Sequence, residues 1–239
     1  MNTSIIFNAT ALADEHVVVL GGTSGIGRAV ADAAADAGAK VTLLGRSVAA
    51  DRPHTSIMAD VTDADSLRRA FEQTGLIDHL VVTVGARGAS PKLVDLAAHD
   101  LHQTFGVKLF GMLLAVQQAL PVLRPHASIT LTSGLLSRKF AAGSLLKSTV
   151  NAAVEAAGKQ LAKELAPRRV NVVSPGVVDT ALWGAEGSDV RTSSMARIGP
   201  GLPLARVGQP EEVATAYLLA MTNGFMTGAV LDVEGGGLL

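Results

Sequence analysis

Apolar residues recur along the chain in two alternating rhythms. Short β-branched runs break into glycine or small polar residues, and longer alanine- and leucine-rich stretches with helical spacing follow them. The first run, Val17-Val18-Val19-Leu20, opens into Gly21-Gly22-Thr23-Ser24-Gly25-Ile26-Gly27, and a helical pattern over residues 26–37 then closes at Gly38, which suits a left-handed cap. Further strands are predicted at residues 40–44, 57–62, 79–85, 128–134, 170–176 and 228–233. A helix begins at Asp63 with acids in its first turn, and two longer ones span 101–120, stopped by Pro121, and 144–165, stopped by Pro167. Strands alternating with helices predict an α/β fold: one doubly wound, parallel, seven-stranded sheet flanked by helices, with ligands at the carboxyl ends of its strands. Residues 181–208 carry glycines, serines and prolines without a long period, as a lid over a site does. Trp183, the only tryptophan, then lines the pocket; the plainer reading packs it on its own scaffold.

The strand, turn and helix around Gly21 to Gly27 carry the first candidate chemistry. The leading N–H groups of such a helix lack partners and its dipole favours negative charge, so a diphosphate fits there, with glycines letting the backbone come close. The second strand ends in Gly45-Arg46-Ser47. In nicotinamide-binding folds an acidic residue at this place holds a free ribose 2′-hydroxyl, whereas an arginine accommodates a 2′-phosphate. Gly45 offers no carboxylate, while Arg46 offers a planar fork and Ser47 a hydroxyl, so NADP(H) is the expected cofactor. A solvated surface arginine is the alternative.

Composition narrows the class. The 239 residues fit one domain, 1–239, and the 48% hydrophobic content fills a core covered on both faces of a sheet. Aromatics are only 3%, so that core is built from small aliphatic pieces. A net charge of −1 leaves no basic footprint for nucleic acid or membrane. With no cysteine, disulfide and thiolate chemistry are excluded. Met1 to Thr10 lacks a basic segment followed by a sustained apolar stretch, and no apolar run reaches spanning length, so a cytoplasmic protein is expected and the Asn8-Ala9-Thr10 sequon carries no meaning.

The order of these motifs resembles the short-chain dehydrogenase/reductase family of single-domain Rossmann proteins over essentially the whole length. Leu20 to Gly27 is similar to the family's TGxxxGIG turn, which implies cofactor contacts from Gly21, Thr23, Ser24, Gly25, Ile26 and Gly27. Asp60-Val61 matches the adenine-contacting pair, and Val82-Thr83-Val84-Gly85 stands where the family has NNAG, keeping only the glycine. Ser174-Pro175-Gly176-Val177-Val178-Asp179-Thr180 matches the segment that holds the nicotinamide carboxamide, implying roles for Pro175, Gly176, Val178 and Thr180. Gly208 to Val213 and Thr227 to Gly236 resemble the carboxyl-terminal signature.

The resemblance thins at the family's Asn, Ser, Tyr and Lys. Lys147 matches the lysine, which implies a hydrogen bond to the nicotinamide ribose, but four residues earlier stands Gly143 in place of tyrosine. Tyr217, the only tyrosine, matches no active-site position. Lys108 occupies the asparagine position; Ser133 is adjacent to the serine position, and an ungapped reading puts Gly134 on it. Buried beside a cationic nicotinamide, Lys108 would have its pKa pushed down and act as a general acid near neutral pH. Otherwise it is a structural lysine tying backbone carbonyls of the adjoining helix. Thr132 and Ser133 orient a substrate carbonyl or simply finish a strand. His99 and His102, spaced i, i+3 near Asp95, are read as solvated imidazoles rather than metal ligands.

Three functions follow. One is an NADP(H)-dependent reductase of a small carbonyl, C=N or activated C=C compound, its proton coming from Lys108 or water. Another is an NADP(H)-binding regulatory or sensor protein without turnover, and the third an empty structural relative. Small and apolar residues on more than one face of the helices at 101–120 and 144–165, such as Ala115, Ala119, Ala152 and Ala156, imply with the resemblance a homodimer or homotetramer.

Overall fold

The structure, a computed structural model, describes residues 10–47, 54–85 and 91–239. The reading of the amino terminus therefore lies, apart from Thr10, outside the described residues. Seven strands form one sheet: β1 (His16–Leu20), β2 (Lys40–Gly45), β3 (Thr55–Met58), β4 (Ile77–Val82), β5 (Leu123–Thr132), β6 (Arg169–Pro175) and β7 (Val230–Val233). All pairings are parallel and the order is β3-β2-β1-β4-β5-β6-β7, the doubly wound arrangement whose order reverses between β1 and β4. One face is covered by α1 (Gly25–Asp36) and α7 (Pro210–Thr222), the other by α2 (Ala64–Thr74), α4 (Gly111–Ala119) and α5 (Leu145–Glu164). β1 is buried along its whole length, which is why Val17 to Leu20 form an uninterrupted apolar run. Gly38 has φ +94°, the left-handed conformation that ends α1.

Four elements depart from the expected outline. β3 stops at Met58, before Asp60, because the Asp60 carboxylate accepts from Thr62 N and Oγ1 at 2.9 and 2.7 Å and turns the chain. The helix expected at 101–120 is α3 (Ala98–Phe105), a wide turn of π geometry at Gly106–Phe110, then α4. Glycine at both ends of the wide turn lowers the cost of leaving α-helical winding. β5 begins at Leu123, with a register shift against β4 between Ile77 and His79. Residues 181–208 are not irregular: they hold a 3₁₀ turn, Ala181–Trp183, the helix α6 (Asp189–Ile198) and a second 3₁₀ turn, Gly199–Gly201. Ser188 caps α6 by accepting from Arg191 N, but no residue of α6 is buried, so the helix leaves no apolar period in the sequence.

At the amino ends of the central strands lies a buried polar layer. His79 shares hydrogen bonds with Ser128 Oγ (2.7 Å) and Glu15 Oε2 (2.6 Å), and His16 with Thr42 Oγ1 (2.9 Å) and the Leu76 carbonyl (3.0 Å). Burial lowers both imidazole pKa values from 6.5; Glu15 and Asp78 oppose this at His79, and the Leu76 carbonyl and Asp78 at His16. The unfolded chain thus binds these protons first, so stability is full above pH 6.5 and is lost as pH falls toward the lower folded values. Urea unfolding is expected to show stability falling from pH 7 to pH 5, by up to about 1.4 kcal/mol per pH unit for each histidine. His79→Gln removes part of that slope; an unchanged slope would contradict the assignment.

Candidate functional site

The carboxyl ends of β1 and β4 frame the first part of the site. Gly21 N donates to Leu44 O at 2.8 Å, turning the chain out of β1. A Cβ on Gly27 would lie 2.3 Å from Gly21 O and 2.4 Å from Thr83 Oγ1, so α1 packs onto the turn more closely than any side chain allows. Thr83, in the second asparagine place of NNAG, sends its hydroxyl to Leu20 O at 3.2 Å and ties β4 to the turn. Ser24 caps α1 in an extended conformation but its side chain makes no capping hydrogen bond. The amino end of α1 therefore presents backbone N–H groups to whatever lies above Thr23, Ser24, Gly25 and Ile26.

Two loops flank the turn on the β2 and β3 side. Arg46 and Ser47 are exposed beyond β2, and a Cβ on Gly45 would lie 3.2 Å from Thr23 Cγ2, so a larger residue there would press on the turn. Asp60 has its pKa lowered, first by the Thr62 amide and hydroxyl bonds and in smaller part by Arg46, which places that guanidinium on the same side. Val61 is buried, and a Cβ on Gly111 would come within 2.7 Å of its Cγ2. Val84 is half-buried and Gly85 exposed at the end of β4.

On the far side, Pro175-Gly176 leaves β6 with Gly176 N donating to Val233 O at 2.9 Å. Val178 is buried and bridges to Gly208, and Asp179 N donates to Gly208 O at 2.9 Å, fastening the two ends of the 179–208 excursion together. Thr180 lies against Gly25, its Cγ2 3.3 Å from where a Cβ there would be. Trp183 Nε1 donates to Val178 O at 3.1 Å, so the indole is held by its own segment.

Between these arms stand the lysines. Lys147, in the first turn of α5, is exposed and makes no hydrogen bond or ion pair among the described residues. The wide turn carries Lys108 to the end of β5, where Nζ donates to Ser133 O at 2.8 Å. That bond goes to the strand end and not to the adjoining helix. Desolvation, and to a lesser degree Lys147, pulls the Lys108 pKa down from 10.5 to about 8. Ser133 is buried and its hydroxyl donates to Glu155 Oε1 at 3.0 Å, turned from the Lys108 side of its own carbonyl toward α5. A Cβ on Gly134 would lie 2.9 Å from Asn151 Nδ2, so that asparagine fills the space beside Gly134. Gly143 has φ +78°, a conformation a tyrosine rarely adopts. Tyr217 is fully buried in α7, its hydroxyl 2.6 Å from Thr132 Oγ1, and burial pushes its pKa up. Thr132 in turn donates to Val82 O at 2.7 Å, finishing the strand. His99 pairs with Asp100 at 3.2 Å and is 78% exposed, apart from these groups.

A network behind the lysines has no counterpart in the sequence reading. Glu155 Oε1 also accepts from Ser137 Oγ (2.6 Å) and Arg138 (3.3 Å), and Arg138 pairs with Asp232 and reaches Ser174 Oγ at 3.3 Å. It joins α5, β6 and β7 to the short segment after β5. Lys139 Nζ adds a bond to Gly237 O at 2.6 Å. Glu155 lies in a helix whose polar positions read as a solvated face, and nothing in the local pattern distinguishes it.

Residues 21–237 match the family model described as enoyl-(acyl carrier protein) reductase. A solved small-chain dehydrogenase in complex with NADPH is 38% identical, covering 94% of this chain and 98% of its own, with a TM-score of 0.81. The short-chain dehydrogenase/reductase ATR9 of Stachybotrys chlorohalonatus is 31% identical, covering 94% of this chain and 97% of that protein. Carbonyl reductase family member 4 of Danio rerio is 32% identical, over 92% and 96% respectively.

Proposed function

Because the chain belongs to the short-chain dehydrogenase/reductase family, and is an oxidoreductase of that kind, we propose that it is an NADP(H)-dependent reductase that works without the family's tyrosine. The observation that carries this reading is Lys108: an ammonium of pKa about 8, held 2.8 Å from the Ser133 carbonyl at the ligand end of the sheet. The cradle fits a dinucleotide. Gly27 closes α1 onto the turn, Ser24 leaves the helix end uncapped, and Gly45 itself puts no carboxylate at the strand end before Arg46. Ser24, Gly25 and Ile26 hold the pyrophosphate, Arg46 and Ser47 the 2′-phosphate, Asp60 and Val61 the adenine, and Gly176, Val178 and Thr180 the carboxamide. Lys147, without a partner of its own, binds the nicotinamide ribose. When bound, the reduced cofactor supplies a hydride. Lys108 gives the proton to the oxygen or nitrogen that gains charge, a role open to an amine whose pKa is close to working pH.

The segment 181–208 covers the substrate in this reading. Its ends are fastened at Val178 and Gly208, and its helix α6 is latched by Arg191 to Asp179 at 2.5 Å. The assembly is a homodimer or homotetramer, in keeping with exposed Phe110 and Leu113 at the junction of the wide turn and α4. Among the described residues no helix is long and apolar enough to cross a membrane. A second reading, a cofactor-binding regulator without turnover, draws on Gly134 and Gly143, which remove two polar groups from the reacting end.

Fluorescence titration tests the cofactor. NADPH is expected to bind more tightly than NADH, and Arg46→Ala to cut that preference by roughly 10–100-fold, the worth of a charge-assisted pair. Equal affinity for the two cofactors in the unaltered protein would overturn the assignment.

A further inference from the structure

Lys147 acts on Lys108 electrostatically, and among the described residues neither lysine has a counter-ion. Lys108 forms no ion pair among the described residues, and the charged group that most affects it is the other lysine. Glu155, a half-buried carboxylate, is committed to Ser133, Ser137 and Arg138, behind the strand end. A cation withdrawn from water is normally paired, because its desolvation is otherwise uncompensated. An ammonium has three donors. One is taken by Ser133 O, which leaves two that point elsewhere.

We propose that Lys108 recognises a 2-oxo acid, its two remaining N–H groups donating to one carboxylate oxygen and to the adjacent keto oxygen. A 2-oxo acid presents these acceptors side by side, and it brings the negative charge that the lysine pair lacks. Simple ketones bring one acceptor and no charge. The side chain beyond the keto carbon is apolar, matching the exposed Leu93, Val94, Phe140 and Leu182 on the loops that follow β4, β5 and β6. This inference rests on the reading of the site as a reductase and names its substrate class.

The test uses phenylpyruvate and its methyl ester as probes, without and with NADPH. Titration calorimetry at pH 8, in two buffers of different ionisation enthalpy, measures affinity and proton uptake together. The acid is expected to bind on the order of 30-fold more tightly than the ester, as for a buried charge pair. It should also take up about half a proton per site, because a carboxylate raises the pKa of a lysine that is half-protonated at that pH. Lys108→Met should abolish both the preference and the uptake, and Lys108→Arg should keep the preference. NADPH binding by each variant confirms that it is folded. Equal binding of acid and ester, binding of the acid without proton uptake, or an unchanged preference in Lys108→Met would each overturn the proposal. These results leave the cofactor reading standing, since that falls only if the unaltered protein fails to bind NADPH.

Discussion

Lys108→Met is expected to slow hydride transfer in a single turnover by about 10²–10⁴-fold, the usual worth of a general acid. The measurement is the loss of NADPH absorbance after rapid mixing with a reducible substrate. With an uncharged substrate the unaltered enzyme is expected to add a pH signature: a proton given by Lys108 makes the rate level below its pKa of about 8 and falling above it. In Lys108→Met that fall disappears along with most of the rate. Fold and cofactor affinity should change little, since the side chain makes one hydrogen bond, to Ser133 O. A variant with full rate and an unchanged profile would assign the proton to water and leave Lys108 as a structural tie.

The second large effect is at Gly27. In an ordinary helix, glycine to alanine is favourable by roughly 1 kcal/mol. Here the added Cβ would stand 2.3 Å from Gly21 O and 2.4 Å from Thr83 Oγ1, and neither can withdraw without opening the turn. Gly27→Ala is therefore expected to cost about 1–3 kcal/mol as an overpacked contact, reversing the helical preference. It should also lose NADPH binding, because α1 moves away from the pyrophosphate. Urea unfolding and NADPH fluorescence read the two effects separately. A variant as stable as the parent, with intact binding, would show that the close approach has slack.

The contrast between these two positions marks how far the sequence can be read. The Gly21–Gly27 turn is legible because its requirements are local: a buried strand, a turn and a helix in unbroken succession, each with its own pattern. The seven strands were found for the same reason, to within a few residues. What escaped was set by distant contacts. The wide turn at Gly106–Phe110 sits within an apolar period that a continuous helix fits equally well, and Gly111 meets Val61 from another part of the chain. α6 escaped because it buries nothing. Gly143, four residues before Lys147, is legible in the sequence, but the turning of Ser133 toward Glu155 rests on a hydrogen bond between residues 22 positions apart. The reach of the Lys108 ammonium to the Ser133 carbonyl is likewise set by a distant contact, which a lone lysine in a helical pattern does not state.

The wide turn also stands between the Asp60–Val61 loop and the end of β5. Gly111, the residue that follows the turn, rests against Val61, and Lys108, three residues earlier, reaches toward the end of β5. Gly111→Ala would press the added carbon on Val61 Cγ2 and on the Val61 carbonyl, 2.7 and 2.8 Å away, and the strain would fall on the loosely wound segment that carries the lysine.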